Sequence, residues 1–247
     1  MVKILSAQAS QVFGRGTFRI RRVRPGLAGG VQLQDPVIGP LSAVDHANLA
    51  VGTVVAMHEH RNDEILSYMW QGIMVHEDSS GQRVELSPRR LMMMNAGRSF
   101  FHEESTPDVP VEALQIFIRP EADDLEPSVQ FYERPEGFEN GQWNLIGGPA
   151  GSNAPLLIRN RVTVYDAHPK AGAELILPTI QGLQQWVYVM DGMVTVGDHT
   201  LSKGDSVTDP DMPLPALRAD SDATVVVFLI DPQAPASLAG TISGYGV

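Results

Sequence analysis

The chain contains no cysteine among its 247 residues, which excludes disulfides, iron–sulfur clusters, zinc ribbons and thiol nucleophiles. Any metal must therefore be held by His, Asp or Glu. It also lacks an apolar run near the roughly 18–20 residues a membrane span requires, and its N-terminus has no apolar secretory core. A soluble cytoplasmic protein is the expectation. Positive charge is scarce: the formal net charge of −11 opposes a general affinity for nucleic acid. One local exception is RIRRVR, where Arg19, Arg21, Arg22 and Arg24 crowd together. It reads as a strand with a charged outward face, an anion or partner site being the alternative. Gly14-Arg15-Gly16 just before it lacks the third glycine and the strand–helix context of a dinucleotide fingerprint.

Sustained helical periodicity is missing as well. What the chain has instead is short runs rich in β-branched and aromatic residues, such as GTVVAM, EILSYMW, ALQIFIR, QQWVYVM and TVVVFLID, bounded by Gly, Pro, Asp or Asn. The one helix candidate is a turn or two in the acidic segment 121–127. Many short strands predict an all-β sandwich or barrel. With 43% hydrophobic residues, the chain can bury one large core or two of about 110–130 residues each.

The sequence also repeats itself. Shifted by 120 positions, Gly52, Tyr68 and Gly72 fall on Gly172, Tyr188 and Gly192, and GTVVAM overlays GAELIL. After the next hairpin the offset drops to 115, placing Leu86-Ser87 on Leu201-Ser202. A fixed offset near half the chain, with matching strand patterns, implies duplication.

Potential metal ligands occur in two runs: His58 and His60 in MHEHRNDE, and His102 and Glu104 in FFHEES. Residues two apart on a strand share a face, so each run aims two donors at one side of a sheet. Parity prefers Glu104 over its neighbour Glu103 as the partner of His102. Three imidazoles and a carboxylate make a mononuclear site with open coordination positions, suited to chemistry or sensing rather than to a closed structural role. The repeat serves as a control, because the equivalents of the four donors are Pro178, Ile180, Leu217 and Ala219. Strand geometry alone does not demand the histidines; a task in the first half does.

The run from Gly52 through His58, His60 and Glu64 to Gly72 is similar to the first cupin motif. Asn95-Ala96-Gly97-Arg98 followed by His102 and Glu104 resembles the second motif as pirins use it. The resemblance extends over most of the chain, including Asp35-Pro36, the His76-x-Asp78-Ser79 hairpin and Tyr165-Asp166-Ala167. It implies a bicupin, two tandem double-stranded β-helix (jelly-roll) barrels. The metal would sit in an N-terminal barrel at 1–135, and a C-terminal barrel at 136–247 would lack ligands. His58, His60, His102 and Glu104 are the implied metal ligands, with Glu64 beside the metal rather than on it. The family's Pro between the histidines and Gly-Phe before the glutamate are here Glu59, Asn62 and Asp63, and Arg89-Arg90 replaces a Gly-Asp turn. Those departures imply a reshaped pocket mouth.

Some bacterial pirins open the flavonol ring of quercetin with dioxygen. The resemblance therefore implies a dioxygenase acting on a small flavonol-like or catecholic aromatic substrate and O2, with Glu64 or Glu104 assisting as base. The other reading is a redox-sensing regulator of the pirin type, in which the metal controls binding to a protein partner and Asn62-Asp63 and Arg89-Arg90 form a charged docking surface. A third is a cupin isomerase or lyase. The sulfur-free ligand set suits Fe(II), Mn, Co, Ni, Cu or Zn, and iron is the first choice by resemblance. Glu64 reads otherwise as a solvated strand-end carboxylate, His76 as a turn residue, Arg98 as an anion reader or a turn stabiliser, and His168 and His199 as loop residues. Met92-Met93-Met94 reads as core that can also line an apolar pocket, with Phe100 and Phe101 beside the ligands.

Overall fold

The computed structural model describes residues 1–30 and 33–245. It is nearly all β and consists of two cupin-type domains, each a larger sheet facing a smaller one. In the first, seven strands run in the order Ser128–Glu133, Arg90–Asn95, Glu64–Gln71, Val111–Ile118, Leu41–Leu49, Phe18–Val23 and Gln11–Arg15. The smaller sheet has Thr53–His60, Phe100–Thr106, Met74–Asp78 and Arg83–Leu86. The second domain repeats both orders. Its seven are Lys3–Leu5, Ser206–Thr208, Gln184–Asp191, Thr224–Ile230, Val162–Ala167, Asn144–Gly148 and Leu156–Leu157. Its four are Glu174–Leu175, Leu217–Ala219, Met193–Val196 and His199–Ser202.

One edge strand comes from far away in sequence: Lys3–Leu5 pairs with Ser206–Thr208 in the second domain's sheet. The repeat inferred from the sequence is visible strand by strand, and so is the reason for one of its glycines. Gly72 and Gly192 both follow their strand at positive φ (87° and 80°). A Cβ at Gly72 would lie 2.1 Å from the Pro110 carbonyl oxygen, and one at Gly192 2.3 Å from that of Asp222. Only glycine tolerates both conditions.

The central strands of the two large sheets are buried on both faces, which explains runs such as TVVVFLI that do not alternate. One face fills its own barrel and the other meets the partner domain. Trp186, Tyr188 and Phe228 from the second half share a single apolar core with Leu66, Tyr68, Leu114 and Ile116 from the first. Two polar contacts cross that core in a pseudo-symmetric pair. The Tyr68 hydroxyl donates to Asp166 at 2.7 Å, and the Tyr188 hydroxyl meets His46 Nδ1 at 2.7 Å. Tyr68 and Tyr188 are repeat equivalents, as are His46 and Asp166. Fully buried Arg134 donates through Nη2 to both oxygens of Asp166 at 2.7 and 2.8 Å. Burial is outweighed by the His168 hydrogen bond and this positive charge, which hold that carboxylate below its usual range.

The expected helix at 121–127 is not formed: the segment is bends and turns. Asp124 has φ of 53°, and its N–H donates to Asn62 Oδ1 at 2.7 Å, so the backbone is committed to a turn. The only helical elements among the described residues are single 3-10 turns at Ala7–Ala9 and Pro25–Leu27. No helix is long and apolar enough to cross a membrane.

Candidate metal centre

All four expected donors lie on two adjacent antiparallel strands of the smaller sheet. Phe100–Thr106 pairs with Thr53–His60 so that His102 faces His58 and Phe100 faces His60. Beyond His102 the register slips, and Glu104 opposes Val55. Two residues on one strand thus span three on the other, a β-bulge of the kind found beside functional sites. Its effect is that Val55 and His58 both line the same cavity, although they are three positions apart. Bulge and parity together bring His58, His60 and His102 into a group whose ligand atoms lie within 4.8 Å of one another, able to hold a metal ion.

The protonation of these rings follows from their partners. His58 Nδ1 lies 2.9 Å from the Ala56 carbonyl, which can only accept, so Nδ1 carries the hydrogen and Nε2 is bare. His60 Nδ1 lies 2.9 Å from the Asp63 carboxylate. Burial works to raise the Asp63 pKa, but hydrogen bonds from His60, Thr241 and Ser243 outweigh it and hold the group below the usual carboxylate range. His60 Nδ1 therefore carries a hydrogen, which leaves Nε2 as the atom turned toward His58. The two Nε2 atoms face each other at 3.1 Å, close enough for both to reach a single cation. Both ring nitrogens of His102 are buried without a hydrogen-bond partner. Burial and then the neighbouring imidazoles push its pKa down to about 2, which keeps it neutral and able to ligate. The donors present fit a transition metal.

Glu104 stands outside the three-histidine group but lines the same cavity. Its Oε2 accepts from Gln115 at 2.6 Å, while Oε1 is buried and unpaired. Burial raises its pKa to about 7, against a lowering by Gln115. The cavity measures about 170 Å³ and is mostly apolar, with Phe18, Ile20, Leu49, Phe117 and Ile242 in its wall. Ser67, also in the wall, has a buried hydroxyl without a partner. Arg22 forks onto Asp45 at 2.8 and 2.7 Å at the cavity's edge.

A model of the family described as "Pirin" matches residues 29–118, and one described as "Quercetinase C-terminal cupin domain" matches 145–230. The chain belongs to the pirin family. Among its relatives is quercetin 2,3-dioxygenase of Escherichia coli K12, 24% identical over 194 residues, covering 78% of this chain and 83% of that one. The crystal structure of the bacterial pirin YhhW from Escherichia coli in complex with nickel(II) superposes with a TM-score of 0.80 at 20% identity, covering 93% of this chain and 99% of that one. Quercetin 2,3-dioxygenase from Acinetobacter baumannii does so with 0.76 at 21%, covering 94% and 79%. At these identities the structures establish the pirin fold.

Several expectations within this pirin need correction. Glu64 makes no hydrogen bond to the histidines among the described residues. Its Oε2 accepts from the Arg159 backbone N–H at 2.8 Å, and burial raises its pKa to about 7. Asp63, which the sequence reading placed at the mouth, is the carboxylate on His60. Asn62 and Asp63 are both buried, so they form no charged docking surface, and Arg89 is spent on Glu133 and Glu136. His76 is not a turn residue. It is fully buried within Met74–Asp78, paired across from Glu104, with its ring 5.4 Å from that of His102 and Nε2 on Asp78 at 3.1 Å. The turn signal was sound, but the strand runs to Asp78 before turning. Arg98 pairs with Glu126 at the surface. Among the four arginines, Arg22 points inward to Asp45 rather than outward. Met92, Met93 and Met94 are wholly buried core, while the cavity takes its methionine from Met74. Phe101 is turned outward, and His199 opens a strand.

Proposed function

We propose that this pirin is a mononuclear-metal dioxygenase acting on flavonol-like or related catecholic rings, with His58, His60, His102 and Glu104 as the ligands and Fe(II) as the metal. The observation that carries the reading is the convergence of three imidazoles within 4.8 Å, with the Nε2 atoms of His58 and His60 3.1 Å apart beside a buried His102 whose two nitrogens have no partner. The names of the relatives, quercetin 2,3-dioxygenase foremost, support the substrate class.

When bound, the metal would acidify a ring hydroxyl and give dioxygen an electron path. The chain's own groups do the rest. The apolar wall excludes water and packs against a flat ring; an apolar cavity of about 150 Å³ takes a benzene-sized guest, so about 170 Å³ takes one ring of a larger substrate with the remainder at the opening. The Ser67 hydroxyl offers a hydrogen bond to a ring substituent. Glu104 Oε1, buried and free of protein partners, is the oxygen that would reach the metal or take up the hydroxyl proton. Gln115 holds the other oxygen and fixes the carboxylate's orientation.

The test is anaerobic reconstitution with Fe(II), followed by oxygen uptake over a panel of flavonols and catechols. Uptake with carbon monoxide release from a flavonol is expected. Full metal occupancy with no oxygen consumed on any member of the panel would overturn the proposal.

A further inference from the structure

The segment following the last strand returns across the molecule to the first domain and ends its path on Asp63. Thr241 Oγ1 donates to Asp63 Oδ2 and lies 3.3 Å from His60 Nδ1. Ser243 gives both its N–H (2.9 Å) and its hydroxyl (2.7 Å) to Oδ1. The Ile242 N–H sits 3.2 Å from each oxygen. With His60, every acceptor position of this buried carboxylate is engaged.

The segment is itself anchored. Thr241 N–H donates to the Arg61 carbonyl at 3.0 Å, and Arg61 N–H returns to Thr241 Oγ1 at 3.2 Å. Buried Arg119 donates to the carbonyls of Ser243 (2.6 Å) and Gly244 (3.2 Å) while forking onto Asp35. The approach is too close for a side chain at Gly240, where a Cβ would lie 2.6 Å from Asp63 Oδ1 and 2.9 Å from the Asn62 carbonyl oxygen. Ile242, between the two hydroxyl residues, lines the cavity beside His58 and His60.

We propose that Thr241–Ser243 is a strap that completes the metal centre: Thr241 and Ser243 are positioning residues that lock Asp63 and, through it, the ring of His60, while Ile242 closes the cavity wall and limits ring size. An imidazole ligand gains basicity and a fixed orientation from a carboxylate on its far nitrogen, and loss of such a partner typically costs 10–100-fold in metal affinity. A carboxylate that can swing is a poorer partner than one held by four donors. The strap therefore tunes the centre from about 180 residues away in sequence. This inference rests on reading His58, His60 and His102 as metal ligands.

Co(II) titration with chelator competition at fixed pH tests it, using the full chain, the double variant Thr241→Val/Ser243→Ala, the conservative Thr241→Ser, and Ile242→Ala. The double variant should bind Co(II) at least about tenfold more weakly, Thr241→Ser should restore affinity to within twofold of the parent, and Ile242→Ala should leave affinity unchanged. Ile242→Ala should also shift preference, in the Co(II)-loaded protein, from a one-ring to a two-ring catechol as read by absorbance. Far-UV circular dichroism and the cooperativity of unfolding check that each variant is folded. A folded double variant with parental affinity overturns the strap while leaving the metal centre standing. A parent that takes up no Co(II) overturns both. An unfolded double variant together with a folded Thr241→Ser weakened about tenfold or more also sinks the proposal, because the hydroxyl would then not be what matters.

Discussion

Glu64 and Asp63 are adjacent carboxylates with opposite fates. Asp63 collects donors from His60 and the strap and stays ionised, whereas Glu64 has one oxygen on the Arg159 N–H and the other buried without a partner. Burial raises Glu64 to about 7 from an ordinary 4.5, so the folded state binds its proton more tightly than the unfolded chain does. Between those two values the unfolded state has already released the proton. Stability contributed by this group is therefore complete below about pH 4.5 and declines as pH rises to about 7, by on the order of 3 kcal/mol. Glu64→Gln should remove that decline, measured as urea unfolding free energy against pH in chelator-treated protein. Parallel curves for parent and variant over this window would show that Glu64 is not the titrating group.

At the scale of the element, the hairpin glycines separate two costs that are usually confounded. Gly72 and Gly81 both sit at positive φ (87° and 86°), but a Cβ at Gly72 meets the Pro110 carbonyl oxygen at 2.1 Å whereas one at Gly81 meets nothing within 4 Å. Gly81→Ala should cost about 1 kcal/mol for its backbone conformation alone. Gly72→Ala should cost more than about 2 kcal/mol, since backbone must shift as well. Chemical denaturation of the pair checks the ordering, and equal losses would rule out the steric account. Such local geometry also explains what the sequence did and did not disclose. Alternation on two strands was enough to find His58, His60 and His102, and the failure of the repeat to keep them marked their purpose. Counting onward to Glu64 failed because Asn62, at φ of 49°, turns the chain out of the smaller sheet and into the larger. The bulge between Val55 and His58 leaves no mark in residue type. Thr241 and Ser243 were invisible because their partner lies 178 and 180 positions away, and no periodicity reports a contact of that range.

Across the whole molecule, one apolar core runs from the first barrel through the contact between the domains, a second cluster fills the other barrel, and the reciprocal tyrosine contacts to Asp166 and His46 join the halves. Cooperative units follow continuous cores, so the protein should melt in one calorimetric transition rather than two. Loading with metal should raise that single midpoint by mass action, and chelation should lower it without splitting it. Two separate transitions after chelation would mean that the halves are energetically independent despite their contact.

The opening strand, Lys3–Leu5, finishes the second domain's sheet, and the closing segment, Thr241–Ser243, finishes the first domain's histidine cluster. During synthesis, Lys3–Leu5 must wait for 206–208 before it has a strand partner, and Asp63 beside the histidines lacks its donors from the strap until 241–243 are made. The two ends are crossed like a buckle, so a gene split between the domains would yield halves that each lack a piece encoded in the other.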